Sequence, residues 1–189
     1  MFACHVLSAE KPPMGLPLAL RRCALSAILA ATGCASVPAP PEVPANLRPP
    51  SGQVVFLEAR ASGVQIYECA AKPDQPSAYE WAFRAPEAAL VDRAGRPLGK
   101  HYAGPTWEST DGSSVSGEVK ARDAGPNPSA IPWLLLGAKA TAGSGVFSAT
   151  KSIQRVQTVG GIAPSEPCGA ANLRQVARVP YTATYFFYR

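Results

Sequence analysis

Histidine is scarce in this sequence. Only two histidines occur among 189 residues, His5 and His101, and His5 lies in an N-terminal segment that we interpret below as a leader. Most catalytic zinc and copper centres use two or three imidazole ligands, which a chain with one remaining histidine cannot supply. We therefore predict no metal site and no cofactor.

Catalytic and nucleotide-binding signatures are absent as well. The sequence has no P-loop, no dinucleotide glycine fingerprint and no GxSxG motif, the patterns that hold phosphates or present a nucleophilic serine. Gly160 and Gly161 follow a strand-like run, but no helical pattern opens after them, so they are weak evidence for phosphate binding. No motif identifies a catalytic residue.

Charged residues are few and of mixed sign. They make up 16% of the sequence, and 18 basic against 13 acidic residues give a formal net charge of +5. The segment before Cys34 holds three of the basic residues and one of the acidic ones, which leaves a net charge of +3 on the remainder. Such a mild and scattered charge does not indicate nucleic-acid binding, and we predict no nucleic-acid partner.

The N-terminal segment has the pattern of a secretory signal. Arg21 and Arg22 precede an apolar run over residues 23–31, and small residues lead to Cys34, an order typical of a cleaved signal. The run is shorter than the roughly 20 residues that span a bilayer as a helix. We assign residues 1–34 to this signal region and expect Met14 to be its true start.

Cys34 is a predicted lipidation site. Gly33 precedes it as in a lipoprotein cleavage box, although Ala31 stands where a large aliphatic residue is usual. Acylation of Cys34 would anchor the chain to a membrane; the alternative is ordinary cleavage nearby, for example after Ala35. We expect the protein to be exported, either to the periplasm with an outer-membrane anchor or to the extracellular space.

Residues 35–52 are rich in proline. Such a composition favours extended backbone without a packed core. We predict that this segment is a tether that holds a folded domain away from the membrane.

Two cysteines remain in the folded part, Cys69 and Cys168. In an exported chain two cysteines most economically form one disulfide, which here would close a loop of about 100 residues worth roughly 4–5 kcal/mol in chain entropy. A metal-binding pair or a reactive thiol is the alternative. The sequence has no CxxC spacing, which weighs against both.

Residues 53–189 predict a single β domain. Short β-prone runs, such as 53–58, 64–69 and 79–84, recur with turn residues between them, and no amphipathic helix of three turns is present. This spacing of strands and turns favours an antiparallel β-sandwich or closed barrel. We predict about ten short strands.

Two local patterns make this prediction more specific. Asp111-Gly112 is a hairpin signal between runs at 106–109 and 114–121. The aromatic residues of the 79–84 run share one face, which predicts a buried aromatic row, and Pro86 is expected to end that strand. Trp81 and Trp133 are expected to fill the core. The aromatic row consists of Tyr79, Trp81 and Phe83.

Several ordered motifs carry a resemblance to a known family. They are GVQIYEC at 63–69, WAF at 81–83, HYAGPTWE at 101–108, AIPWLL at 130–135, IQRVQTVGG at 153–161 and VPYTA at 179–183. Together they resemble the domain of unknown function 3455 family, exported bacterial and fungal proteins, over about residues 54–188. The resemblance implies one domain and supports the disulfide pairing, but it implies no activity.

The polar and aromatic segment 99–113 is the main candidate for a site. His101 has the chemistry of a general base or a binding donor, or of a structural side chain that pins a loop. Trp107 is either a stacking platform for a ligand or part of the core. Gln154 is a polar residue in an apolar run and needs a partner if buried. The candidate ligand-binding residues are His101, Tyr102, Trp107, Glu108 and Gln154.

Glu108 and Asp111 raise the question of a catalytic carboxylate pair. Asp111 precedes Gly112 as a turn residue does, which explains it without catalysis. In an extended strand Glu108 points away from Trp107, so the two side chains cannot easily serve one face. We predict a binding or structural module of the cell envelope that recognises a glycan or a small polar ligand. The alternatives are a hydrolase using His101 or Glu108, and a purely structural envelope protein.

Overall fold

Eight antiparallel strands close into a barrel in the computed structural model, which describes residues 39–189. The strands follow one another around the barrel in chain order, and the last pairs with the first. They are β1 (Val55–Lys72), β2 (Gln75–Val91), β3 (Pro97–Tyr102), β4 (Thr106–Ser109), β5 (Ser114–Asp123), β6 (Trp133–Ala142), β7 (Ser152–Gly160) and β8 (Val176–Tyr188). Two short 3₁₀ helices, Ala45–Leu47 and Ala170–Asn172, complete the described elements. The predicted all-β, antiparallel class is confirmed, in its closed-barrel form.

The strands are fewer and longer than the ten short ones predicted. β1 joins most of the run 53–58 and the whole of the run 64–69 in one strand of 18 residues that begins at Val55. Gly63 lies inside it because the backbones approach closely there, and a Cβ at Gly63 would lie 2.5 Å from Ala88 Cα. β2 continues through Pro86, where β3 no longer pairs with it. A proline is tolerated in such a position because its missing N–H is not needed by a second neighbour.

The hairpin predicted at Asp111-Gly112 is confirmed. It joins β4 to β5, with Glu108 opposite Ser114. Asp111 accepts hydrogen bonds from the Ser113 amide and hydroxyl at 2.8 and 2.6 Å, and from the Val146 amide at 2.8 Å. These contacts hold the pKa of Asp111 at about 2, chiefly through the Ser113 hydroxyl. Asp111 therefore connects this turn to the β6–β7 loop.

The barrel interior follows from the alternation of side chains along each strand. On β8 the inward residues are large and almost fully buried, as Tyr185 and Phe187 show. They meet inward residues of β4, β5 and β6 in one apolar cluster that includes Trp107, Val115 and Leu136. An eight-stranded barrel is just wide enough for its side chains to fill it or to hold one small ligand.

The tryptophans and the aromatic row of β2 differ from expectation. Trp107 is the fully buried tryptophan, at 1% exposure, whereas Trp81 and Trp133 are half-buried. Phe83 is 51% exposed, so the prediction of a buried row is wrong at this residue. The reason lies in the strand pairing: β3 covers β2 only from Ala88 onward, and the preceding half of β2 has β1 as its one partner strand.

The predicted disulfide between Cys69 and Cys168 is confirmed, with Cα atoms 5.6 Å apart. It joins the far end of β1 to the loop that leads into β8, and the two cysteines are 99 residues apart in the sequence. The metal-pair and reactive-thiol alternatives are thereby excluded. A disulfide of this kind indicates an oxidising compartment.

The chain before β1 packs on the outside of the barrel. Leu47 is fully buried, and the Asn46 amide donates to the Arg122 carbonyl at 3.0 Å. Val43 packs on a second apolar cluster of outward residues from β1, β7 and β8. Part of the segment assigned to the tether is therefore attached to the fold, which begins before residue 53.

The signal region, Met14 and Cys34 lie outside the described residues. Among residues 39–189 no helix has the length and apolar character to cross a membrane.

Candidate functional site

A cavity of about 460 Å³ lies inside the barrel. All eight strands contribute residues to its wall, as do the β3–β4 turn and the segment before β6. We call this space the lumen cavity. Binding sites for small organic molecules have volumes of about 300–1,000 Å³, so the lumen cavity is within the range for one small ligand.

Three aromatic rings form one part of the cavity wall. His101 on β3 stacks on its cross-strand partner Trp107 on β4, with ring centroids 4.4 Å apart and 12° between the planes. Tyr185 on β8 meets both rings edge-on, at 5.1 and 5.2 Å. Each of the three rings packs against the other two. We call His101, Trp107 and Tyr185 the aromatic triad.

His101 is a neutral side chain at physiological pH. It is 2% exposed, and burial lowers its pKa to about 3, against the raising effect of a hydrogen bond to Thr106. Its Nδ1 lies 2.8 Å from the Thr106 carbonyl oxygen, which can only accept, so Nδ1 carries the proton and Nε2 is an acceptor. A general base works best with a pKa near the operating pH, and His101 is far from it.

The wall also carries buried polar atoms that lack partners. The Trp107 indole nitrogen forms no hydrogen bond with any described residue. The Gln65 side-chain nitrogen and the Tyr185 hydroxyl also lack a partner at normal hydrogen-bond geometry, although Tyr181 lies close enough to both, and Arg155 close enough to Tyr185, for a weak polar contact. Gln65 is 2% exposed and Tyr185 is 1% exposed. Buried polar groups are normally hydrogen-bonded, and an unmade bond is destabilising by about 1–3 kcal/mol. Donors are thus concentrated on one wall of the lumen cavity.

Arginine is the charged residue of the lumen cavity. Arg155 on β7 is half-buried, and its Nε and Nη2 donate to the Pro132 carbonyl at 3.1 and 2.8 Å. Arg84 and Arg122 line the cavity as well and are exposed. No aspartate, glutamate or lysine of residues 39–189 is among the lining residues. The cavity wall is therefore positively charged.

Tyr102 and Glu108 lie elsewhere, on the outer face of β3 and β4. The Tyr102 hydroxyl donates to Glu108 Oε2 at 2.8 Å, and Lys100 Nζ lies 3.1 Å from Glu108 Oε1. These contacts, the Tyr102 hydrogen bond first, lower the pKa of Glu108. His101 and Trp107 point inward while their neighbours Tyr102 and Glu108 point outward, as the period of a strand requires. Glu108 is thus separated from His101 by the barrel wall.

Gln154 lies in a third place, beneath the N-terminal segment. Its amide donates to the Leu47 carbonyl at 2.6 Å, and it accepts a hydrogen bond from the Tyr188 hydroxyl. A groove of about 860 Å³ runs beside it, between residues 40–55 and the barrel. Gln154 thus has partners for both ends of its amide. Among the five candidate residues, His101 and Trp107 come together in the lumen cavity, and the other three do not join them.

Several cavity residues were not selected from the sequence, notably Gln65 and Tyr185. One signal was available for Gln65: it shares a face of its strand with Tyr67 and Cys69, and a polar residue in a buried row needs a reason. Arg155 carried a similar signal, as a charged residue within an apolar run. Tyr185 lies in a run so uniformly apolar and aromatic that no pattern separates it from a core residue.

Within residues 39–189 no group of three histidine, cysteine, aspartate or glutamate side chains is placed to hold a metal ion. Comparison with known proteins gave one family: the model described as "Protein of unknown function (DUF3455)" matches residues 50–189. No curated protein and no solved structure matches the chain.

Proposed function

The chain belongs to the DUF3455 family, described as proteins of unknown function, and we propose that its barrel is a binding module for a small polar ligand held in the lumen cavity. The observation that carries the proposal is the combination of a cavity of about 460 Å³ with buried donors that lack partners on its wall. A ligand with matching acceptors would complete those hydrogen bonds. Because an unmade bond is destabilising, such a ligand gains affinity from the donors.

The interior is a better candidate than the outer face near residue 101. Tyr102 and Glu108 already satisfy each other there, and Lys100 is paired with the same carboxylate. A glycan binding on that face would have to compete with these contacts. The lumen cavity instead offers an aromatic wall for the body of a ligand and donors for its polar groups.

We propose further that the protein is exported and attached to a membrane through Cys34. The disulfide supports an oxidising compartment, and the signal pattern before Cys34 supports acylation at that residue. The test is membrane fractionation of cells that produce the wild type or Cys34→Ser. The wild type is expected in the membrane fraction and the variant in the soluble exported fraction; a variant that stays with the membrane would contradict the anchor.

The lumen proposal is tested with a matched pair of valine variants. Val119 lines the lumen cavity, and Val119→Trp should fill part of it. Val159 is 58% exposed, and Val159→Trp makes the same change outside the cavity. The purified wild type and both variants are screened by thermal shift against one panel of small molecules, which includes sugars, polyols, amides and organic acids.

We expect at least one compound to stabilise the wild type and Val159→Trp but not Val119→Trp. A ligand at about 100 times its dissociation constant stabilises a protein by about 2.7 kcal/mol, which is ample for a measurable rise in Tm. The proposal is wrong if no compound stabilises the wild type, or if every stabilising compound acts equally on Val119→Trp.

A further inference from the structure

We infer that the ligand of the lumen cavity is a small organic acid, with its carboxylate held by Arg155 and the exposed arginines and its apolar body against the aromatic triad. This inference rests on the proposed function, since it names the chemical class that the same cavity takes. It draws on three features of the cavity: its charge, its donors and its apolar surface.

The charged side chains that line the cavity are all of one sign. Within the part of the chain that the structure describes, three arginines line the cavity and no carboxylate does. Arg84 has a partner, Glu68, at 3.4 Å, but both side chains are largely solvated. Neither Arg122 nor Arg155 forms an ion pair with any described residue. A half-buried guanidinium is always charged, and a charge removed from water favours a partner of opposite sign.

Arg155 is placed to be the main anchor. Its two hydrogen bonds to the Pro132 carbonyl fix the guanidinium plane, and a guanidinium carries five N–H donors. The donors left over can bind a carboxylate in the planar geometry that suits it. Arg122 and Arg84, being exposed, add long-range attraction at the opening, which steers an anion inward.

The neutral groups of the wall favour acceptors on the ligand. Gln65 and Tyr185 contribute donors that have no partner at normal hydrogen-bond geometry, and Tyr185 lies beside Tyr181 and Arg155. Burial raises the pKa of Tyr185, against the lowering effect of Arg155, so its hydroxyl keeps its proton at neutral pH and remains a donor. A sugar would find only neutral acceptors on this wall, such as His101 Nε2, because no carboxylate of the described residues lines the cavity. The arginine charge, which no lining carboxylate neutralises, favours an acid over a sugar.

The rest of the wall is apolar. It includes Val119, Leu134 and Leu136 beside the aromatic triad. This surface suits a hydrocarbon or aromatic ring system. The complete site would therefore take a molecule with one charged end and one apolar end.

The test compares two probes of nearly the same shape, 1-naphthoate and its neutral amide, 1-naphthamide. Each is titrated into the purified protein by isothermal titration calorimetry, and the Trp107 indole N–H signal is followed by NMR as the report from the cavity. The variants are Arg122→Gln and Arg155→Gln. The control is Arg178→Gln, which removes the same charge from an outer ion pair with Glu87. Because Arg155 also holds Pro132, Arg122→Gln keeps the test valid if Arg155→Gln does not fold.

We expect 1-naphthoate to bind at least about tenfold more tightly than 1-naphthamide, since a hydrogen bond between a guanidinium and a carboxylate is stronger than one to a neutral amide. Arg155→Gln should remove most of this difference and Arg122→Gln part of it, while Arg178→Gln leaves it unchanged. Equal affinity for the two probes would overturn the acid and leave lumen binding intact. An equal effect of Arg178→Gln and Arg122→Gln would also overturn it, because net charge would then explain the preference.

The two proposals fail in different ways. If neither naphthalene probe binds but a neutral compound of the screening panel occupies the lumen, the acid inference is wrong and the proposed function stands. If no compound of the panel binds, both are wrong.

Discussion

At the scale of single residues, His101 shows how burial decides what a side chain can do. The sequence offers it as the histidine best placed for catalysis. Its environment in the barrel keeps it uncharged, because stacking on Trp107 and contact with Tyr185 exclude water. It therefore serves the lumen cavity as part of an aromatic wall with one acceptor, and its pKa is too low for proton transfer at neutral pH.

This environment has a consequence for stability in acid. The pKa of His101 is about 3 in the folded protein against an ordinary value of 6.5, so the unfolded chain binds a proton more readily. The free energy of unfolding therefore has its full value, as far as His101 is concerned, above pH 6.5, and it decreases as the pH falls from there towards 3. We expect His101 to contribute a slope of about 1.4 kcal/mol per pH unit in this window.

The measurement is urea unfolding of the wild type and His101→Gln between pH 6.5 and pH 4. The variant keeps a side-chain donor for the Thr106 carbonyl and has no titrating ring, so the slope should be shallower in it. Asp111 and the other carboxylates with a lowered pKa begin to lose their stabilisation below about pH 5, but they do so equally in both proteins, so the difference between the two slopes reports on His101. Equal slopes in both proteins, or a His101 NMR signal that titrates near pH 6.5, would contradict the prediction.

At the scale of elements, the segment before β1 behaves as part of the barrel. The 3₁₀ helix Ala45–Leu47 buries Leu47 completely, and the Leu47 carbonyl accepts the hydrogen bond of Gln154. The helix packs against β5 and β6, and Val43 before it packs on the outward cluster of β1, β7 and β8. The buried amide of Gln154 is thereby satisfied. This contact explains a polar residue within an apolar strand without any ligand.

A shortened side chain at residue 47 tests how much the packing of this segment stabilises the barrel. Leu47→Ala is expected to lower the free energy of unfolding by about 2–5 kcal/mol, the usual range for a buried leucine. Leu173→Ala is the matched control, because Leu173 is 49% exposed and a surface change should stay within about 0.5 kcal/mol. Both are measured by urea unfolding. Similar small effects for the two variants would show that the segment does not stabilise the barrel.

At the scale of the whole molecule, two closures hold the fold together. The β8–β1 pairing closes the sheet into a barrel, and a free edge is left along the first half of β2, which pairs with β1 alone. The disulfide ties the end of β1 to the loop before β8, beside the half of β2 that lacks β3 as a neighbour. The covalent link thus stabilises the part of the sheet with the fewest strand partners.

Removal of the disulfide measures its contribution. The double variant Cys69→Ala, Cys168→Ala should lose roughly 2–5 kcal/mol of unfolding free energy, because the unfolded chain is no longer constrained over a long loop. Reduction of the wild type with dithiothreitol should bring it to about the same stability, and dithiothreitol should leave the double variant unchanged. A double variant as stable as the oxidised wild type would contradict this account.

The sequence by itself determined the features that depend on neighbours in the chain. The alternation of side chains along a strand placed Trp107 and Glu108 on opposite faces, and Asp111-Gly112 marked the β4–β5 turn. The two cysteines that follow the predicted signal region indicated their disulfide. Each of these features follows from local backbone geometry or from the number of cysteines, so it can be derived without knowing any contact between distant residues.

The tertiary structure alone decided what depends on closure of the barrel. The register between distant strands sets which face is interior, how many strands there are, and that Trp107 rather than Trp81 is fully buried. It also brings Gln65 of β1, Arg155 of β7 and Tyr185 of β8 to one cavity, although they are far apart in sequence. A local sequence pattern cannot predict that these residues line one cavity, because their proximity depends on strand pairing over the whole chain.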